Sequence, residues 1–302
     1  MRRAEFASRS GLANGLYPLP APAVLGHESA GIVEEVGSQV EYVKPGDHVI
    51  TCLSVFCGQC EHCLSGYPNR CGGRTTDRAP GEPPRLSRNG QPVLQFAHLS
   101  SFAERMLVHE NAVVKIRDDM PLDRAALIGC GGVGLSAING AAIAGAGRII
   151  AVDRLKGKLE LARRFGATDV VDASAGDPVE QVKALTGGAG VHYSFEAIGL
   201  KVAAEQAWSM LRAGGTATII GMIPFGQKIE LNGFEFLSER KIQGSMMGGN
   251  RFRIDMPRYI DFYFAGKLHL DELISARLKL SEINDGMAAL KKGEVARQVI
   301  AF

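Results

Sequence analysis

The sequence predicts an α/β protein, with a parallel sheet covered by helices on both faces in its second half and a β-rich region in its first. Three observations carry this. Short β-like runs broken by Gly and Pro extend from Leu25 to about Val114, strands and helices alternate from Leu135 to Met247, and a glycine-rich turn stands at the head of that alternation. The 302 residues, 46% hydrophobic and 22% charged, suffice to bury the cores of two domains. A net charge of +2 and the lack of any Lys/Arg run leave no basic face, so no nucleic-acid partner is expected. Met1-Arg2-Arg3 is basic, but no apolar leader segment follows it and no run of 18 apolar residues occurs. The expectation is therefore no membrane partner and a cytoplasmic, reducing compartment.

In chain order, 30–36, 47–53 and 103–108 read as strands, and the Pro- and Arg-rich stretch 72–92 as a long surface loop. Residues 148–153 read as a strand, and 156–165 as a helix with Leu159, Leu161, Ala162 and Phe165 at its apolar positions. Strand 169–172, a helix near 179–185, strand 191–196, helix 202–211 and strand 216–220 continue the rhythm, and the chain closes on the apolar strand 295–302. There is no internal repeat and no low-complexity segment.

Cys57, Cys60, Cys63 and Cys71 stand in the run F-C-G-Q-C-E-H-C-L-S-G-Y-P-N-R-C. Two residues between each of the first three thiols let one looping segment converge them, and the seven before Cys71 bring the chain back to close a tetrahedron. Four thiolates make the closed, structural form of zinc site, with no open position for chemistry. A disulfide framework is the competing reading, but six cysteines in 302 residues are too sparse for one.

Gly129-Cys-Gly-Gly-Val-Gly134 matches G-x-G-x-x-G. Its context strengthens it: an apolar helix-like segment follows at once, and Asp153 ends the next strand 19 residues after Gly134. Gly129, Gly131, Gly132 and Gly134 would let the backbone approach a dinucleotide pyrophosphate at the helix N-terminus, where unpaired N–H groups favour anions. Asp153 would accept hydrogen bonds from both ribose hydroxyls of NAD and repel the 2′-phosphate of NADP, a preference that the neighbouring Arg154 opposes. A glycine-rich loop that only packs helix on strand is the alternative.

Gly26-His-Glu-Ser-Ala-Gly-Ile-Val-Glu-Glu-Val-Gly37, Pro45-Gly-Asp-His-Val49, the cysteine quartet and the 129–134 turn together resemble the zinc-containing medium-chain alcohol dehydrogenases. The likeness runs from about Asn14 to Phe302. The long 72–92 loop and Phe195-Glu-Ala-Ile-Gly199 look most like the classical and glutathione-dependent formaldehyde dehydrogenase branch. The resemblance implies an incomplete GroES-like catalytic domain over 1–120 with its zinc lobe at 57–71, a Rossmann NAD-binding domain over 121–249, and a return to the catalytic domain over 250–302. It also implies a small-molecule alcohol or aldehyde substrate, NAD as cofactor, a catalytic zinc beside the structural one, and a homo-dimer or homo-tetramer paired near 216–222 and 227–231. In such enzymes the metal stabilises the alkoxide and the hydride leaves for the nicotinamide. His27 matches the histidine ligand, Glu28 the acid beside the metal and Cys130 the second cysteine ligand. Lys158 aligns with a lysine on the adenosine ribose and Arg297 with an arginine near the pyrophosphate.

Two departures bear on activity. Counting back without gaps from 14–20 places Phe6 where relatives carry the first cysteine ligand, and Ser8 where the proton-relay hydroxyl sits. Phenylalanine cannot bind zinc. The strands that precede this segment in relatives are missing, an expectation of a late start codon or a truncated gene. Relatives also keep the metal-ligand Gly-Cys-Gly apart from the pyrophosphate turn, whereas Ala125-Ala-Leu-Ile-Gly-Cys-Gly-Gly-Val-Gly134 fuses the two. On the family pattern a helix and the first strand of the dinucleotide fold are gone. Cys130 is then asked to serve two places, and either 125–128 substitutes as the central strand or the sheet has a hole at its centre.

Three readings follow: an NAD-dependent, zinc-assisted dehydrogenase of primary alcohols or S-hydroxymethyl thiols; a catalytically impaired paralogue or truncated product that binds one structural zinc, with or without NAD; and a zinc-independent reductase of the quinone-oxidoreductase kind, against which the quartet argues. Cys52 reads as a core thiol, and His48, His62, His98, His109, His192 and His269 as surface or packing residues.

Overall fold

The computed structural model describes residues 3–6, 21–73, 79, 81–120, 132–292, 295 and 297–302. The strands are β1 (Arg3–Phe6), β2 (Ala23–Val24), β3 (Glu28–Ile32), β4 (His48–Thr51), β5 (Ser87–Arg88), β6 (Gln91–Pro92), β7 (Leu94–Gln95), β8 (Val113–Lys115), β9 (Ile150–Asp153), β10 (Asp169–Asp172), β11 (Val191–Glu196), β12 (Leu211–Ile219), β13 (Lys241–Gly244), β14 (Ile274–Leu278) and β15 (Arg297–Ala301). The α-helices are α1 (Glu61–Leu64), α2 (Val133–Ile143), α3 (Lys156–Arg164), α4 (Pro178–Leu185), α5 (Lys201–Ser209), α6 (Phe252–Phe264) and α7 (Ile283–Lys292). Two compact units result, one of 1–132 with 249–302 and one of 133–248.

The first unit is built on a six-stranded sheet in the order β14-β15-β1-β3-β4-β8. Only β14 and β15 run parallel; every other pair is antiparallel. The C-terminal strand thus lies inside the sheet, and its Val299 and Ile300 are fully covered. A cluster of Val43, Val49 and Val113 forms the core beside β4 and β8, joined by Val33, Val40, Met106 and Val108. Residues 103–108, expected as a strand, form bends and open coil. Met106 and Val108 alternate toward that core, so the period-two apolar pattern reports burial, while Leu107 O is taken by Gln95 Nε2 at 2.8 Å rather than by a neighbouring strand. The loop 72–92 is likewise not wholly irregular. Ser87–Arg88 and Gln91–Pro92 pair antiparallel around Asn89 (φ 52°) and Gly90 (φ 76°), the two left-handed positions that an Asn-Gly hairpin turn requires.

The second unit holds two parallel sheets, β10-β9 and β11-β12-β13. Strands 169–172 and 191–196 fall where the sequence places them, because each is a short β-branched run bounded by turn residues. Helix α3 buries Leu159 and Ala162, the latter against Ile149, Ala151 and Ala167, and α4 starts on Asp177, whose Oδ1 accepts Val179 N at 2.8 Å, with Pro178 at its first position. Arg148 locks the start of this layer. Its Nε and Nη2 each donate to Asp169 at 2.9 Å, and its Nη1 to Leu185 O at 2.6 Å. That pair holds the Asp169 carboxyl down to about 2. Among the described residues no strand bridges β9 and β11. The stretch 125–128, the candidate central strand, lies outside the described residues.

Candidate functional site

The quartet forms a compact metal-ligand cluster. Cys60 precedes α1, Cys63 lies within it, and Ser65 Oγ donates back to Glu61 O at 2.7 Å to tighten the turn. A short 3-10 turn at Pro68–Arg70 then delivers Cys71. The four Sγ atoms lie within 4.8 Å of one another, with Cys60 to Cys63 at 3.5 Å, Cys60 to Cys71 at 3.8 Å and Cys57 to Cys63 at 4.0 Å. A tetrahedron with Zn–S bonds of about 2.3 Å has edges of about 3.8 Å, so these spacings fit one zinc ion. They are far from a disulfide, and the five cysteines among the described residues are free thiols.

The loop also prepares the sulfur charges. Cys60 N donates to Cys57 Sγ and Cys57 N to Cys71 Sγ, both at 3.3 Å. The backbone N–H of Cys63 brings the Cys60 thiol down to about 6, and the N–H of Gln59 lowers that of Cys57. Burial pushes Cys63 up to about 12, and a bound cation displaces thiol protons from the cluster. Cys52 is buried in the core, its thiol raised by that burial.

His27 and Glu28 lie side by side at the start of β3, both nearly buried, with His27 Nε2 3.9 Å from Glu28 Oε1. The edge of the Phe96 ring meets the imidazole at 5.7 Å between centroids. Gly26 lets this segment pass. It has φ +90°, and a Cβ there would meet Ser101 Oγ at 2.5 Å and Phe102 N at 2.8 Å. Ser101 N donates to Gly26 O and Phe102 N to Leu25 O, both at 3.0 Å. Gly26→Ala is expected to cost about 2 kcal/mol or more through strain and this clash, measured as a shift of the denaturant midpoint; an unchanged midpoint would show that the 25–28 segment yields easily.

Arg297, aligned with a pyrophosphate contact, is completely buried on β15, with Nη1 4.0 Å from Glu28 Oε2. In this structure its guanidinium therefore faces the acid beside His27. The register explains the proximity. β1 lies between β15 and β3, with Phe6 opposite Gln298 and Glu5 opposite Glu28. The pairing of β1 with β3 ends there, one residue before position 6. The position where the family pattern expects the first cysteine is thus the residue that follows Glu5, the partner of Glu28.

Among the described residues, the cysteine quartet is the only group of three or more converging His, Cys, Asp or Glu donors. His27 and Glu28 supply two donors, short of the three protein ligands that a catalytic zinc takes. Cys130, Gly129 and Gly131 lie outside the described residues. Gly132 leads into α2, a Cβ there meeting Leu273 Cδ2 at 2.8 Å, and Gly134 is in the first turn with open space around it. Asp153 closes β9 with its Oδ1 accepting Leu155 N at 3.0 Å, and Lys158 is exposed near the start of α3. Sequence reasoning missed Phe96 and Ser101. Neither carries a motif of its own, and only the fold brings them against 26–28.

The match to known proteins is broad. The family model described as the alcohol dehydrogenase GroES-like domain covers residues 6–118, and that described as zinc-binding dehydrogenase covers 132–265. Alcohol dehydrogenase class-3 of Zea mays is 35% identical over 314 residues, covering 93% of this chain and 82% of its own. The chain belongs to the zinc-binding alcohol dehydrogenase family. Alcohol dehydrogenase class-3 of Cereibacter sphaeroides is 36% identical over 339 aligned positions, covering 99% of this chain and 89% of its own. That alignment is longer than the 302-residue chain, so the relative carries residues for which this dehydrogenase has no counterpart, as an internal shortening requires. The S-(hydroxymethyl)glutathione dehydrogenase of Escherichia coli is 35% identical over 316 residues, covering 93% of this chain and 85% of its own. Among solved structures, benzyl alcohol dehydrogenase from Acinetobacter calcoaceticus superposes with a TM-score of 0.88 at 28% identity, over 100% of this chain and 91% of the other. The expected fold class, GroES-like plus Rossmann-type, is that of the family, and the expected enzyme class, a zinc- and NAD-using oxidoreductase, is the family's too.

Proposed function

We propose that this chain is an NAD-linked dehydrogenase of primary alcohols or S-hydroxymethyl thiols by descent, with one tight structural zinc on Cys57, Cys60, Cys63 and Cys71 and a catalytic centre that lacks a ligand. What supports this reading is that Phe6, not a cysteine, takes the first-ligand position on the family pattern, and that the pairing of β1 with β3 ends at Glu5 opposite Glu28, one residue before it. The relatives named for class-3 alcohol and S-(hydroxymethyl)glutathione dehydrogenation support the substrate class. In the Gly129 to Gly134 turn, Gly129, Gly131, Gly132 and Gly134 would cradle the NAD pyrophosphate ahead of α2, Asp153 would accept from the adenosine ribose, and Lys158 would lie beside it. His27, with Glu28 next to it and Arg297 behind Glu28, would form the polar wall of the alcohol site, and Cys130 would be the second cysteine ligand on the family pattern, the first being absent. A metal bound at a complete centre would supply charge stabilisation of the alkoxide oxygen; His27 and Glu28 as they stand do not complete that centre.

The test pairs zinc per chain with alcohol-dependent NADH formation. One zinc with little turnover is expected, and two zincs with vigorous turnover would overturn the missing-ligand reading. No described helix is long and apolar enough to cross a membrane, which accords with a cytoplasmic location. We also infer a homo-dimer or homo-tetramer, supported by Phe225 at 96% exposure and Phe234 and Leu237 at 77% each on the second unit. Sedimentation velocity should give a multimer, and a monomer at micromolar concentration would contradict it.

A further inference from the structure

Arg253 stands outside every motif singled out in the sequence, yet it holds three hydrogen bonds and faces two aromatic rings. It lies in the first turn of α6, where Nη2 donates to Glu110 O at 2.8 Å and to Asn111 Oδ1 at 3.2 Å, and Nε donates to Val113 O at 3.3 Å. Its guanidinium sits 3.6 Å from the centroid of the Tyr42 ring and 5.1 Å from that of Phe56. Partial burial lowers its pKa, the mark of a cation withdrawn from water for these contacts. A planar fork that donates along its edge and stacks on two rings is a role for Arg rather than Lys.

The partners matter because of where they lead. Asn111 is fixed at both ends of its amide: Oδ1 accepts from Arg253, and Nδ2 donates to Phe56 O at 2.8 Å. Phe56 also meets the fully buried Phe252 edge-on, at 6.0 Å between ring centroids. Phe56 directly precedes Cys57, the first ligand of the quartet. Its carbonyl and its ring are therefore both held, and both restraints pass through Arg253 or its helix neighbour Phe252.

We propose that Arg253 is a positioning residue for the structural zinc site, coupling occupancy of the cysteine quartet to the seating of α6 through Asn111 and Phe56. The metal loop is short and half-exposed, so without an anchor at its root Cys57 would sample positions away from the other three sulfurs. Outer partners that orient metal ligands typically contribute about 10–100-fold to metal retention. By linkage, zinc must in turn stabilise the α6 contact by the same factor. The inference rests on the quartet holding zinc, which the metal content of the unsubstituted protein establishes separately.

The experiment is zinc release from the full-length protein into 4-(2-pyridylazo)resorcinol, followed by absorbance. Arg253→Met is expected to release zinc about tenfold faster than the unsubstituted protein, with Arg253→Lys in between. Arg258→Met, on the exposed side of the same helix, should release at the unsubstituted rate. Equal rates for Arg253→Met and the unsubstituted protein would overturn the proposal, as would an equal acceleration by Arg258→Met. Hydrogen exchange on the unsubstituted protein gives an answer even if Arg253→Met fails to fold. Chelating the zinc should deprotect the amides of Asn111, Ile254 and Asp255 along with the loop, and deprotection confined to 57–71 would overturn the coupling.

Discussion

Phe6→Cys is expected to raise bound zinc from one to two per chain and alcohol-dependent NADH formation by about 100-fold or more. The magnitude follows from the ligand count: outer-shell losses alone cost about 10–100-fold in metal affinity or activity, and a missing direct ligand costs more. The geometry favours the substitution because β1 is already paired on both sides, with Phe6 opposite Gln298 and the preceding Glu5 opposite Glu28. The substitution leaves the strand order unchanged. Steady-state rates with a primary alcohol and with an S-hydroxymethyl thiol, alongside elemental analysis, check this. If zinc stays at one and no NADH forms, the defect lies in the fused 125–134 segment, where one cysteine stands for both metal ligand and pyrophosphate turn.

Cys63→Ser should produce the largest loss of stability. Cys63 is the quartet thiol that burial pushes furthest up, and its sulfur lies 3.5 Å from Cys60 and 4.0 Å from Cys57. Replacing it leaves three thiolates and a hydroxyl that binds zinc poorly. Structural zinc contributes about 10–16 kcal/mol in zinc-finger peptides, where the metal is the whole core. In a lobe attached to a sheet, a loss of about 5 kcal/mol is expected, which lowers the melting temperature by roughly 10–20 °C. Calorimetry of the variant should match that of the unsubstituted protein stripped of metal. A variant that keeps its zinc and its melting temperature would show that three cysteines hold the lobe.

Most of the fold was legible because local signals agreed with one another. Strands 169–172 and 191–196 and helix α3 announced themselves by period and by bounding turns, and the quartet by spacing alone. Residues 103–108 misled because Met106 and Val108 alternate inward without a neighbouring strand: alternation records which side is covered, not whether the backbone is paired. The hairpin at Asn89 and Gly90 was written in the sequence as an Asn-Gly pair, within a stretch whose polarity suited a loop. The approach of Arg297 to Glu28 was not legible in the sequence, since it depends on β15 entering the sheet beside β1. Arg253 and Phe96 were invisible for the same reason, their partners being supplied by segments far away in the chain.

The central claim is that the family's structural zinc site is whole in this chain while its catalytic one lacks a ligand. Zinc per chain, by elemental analysis after dialysis, tests it most directly. One zinc per chain, abolished by Cys63→Ser, is the predicted result. Two zincs per chain would show a complete second centre and contradict the account, and none would contradict the reading of the quartet itself.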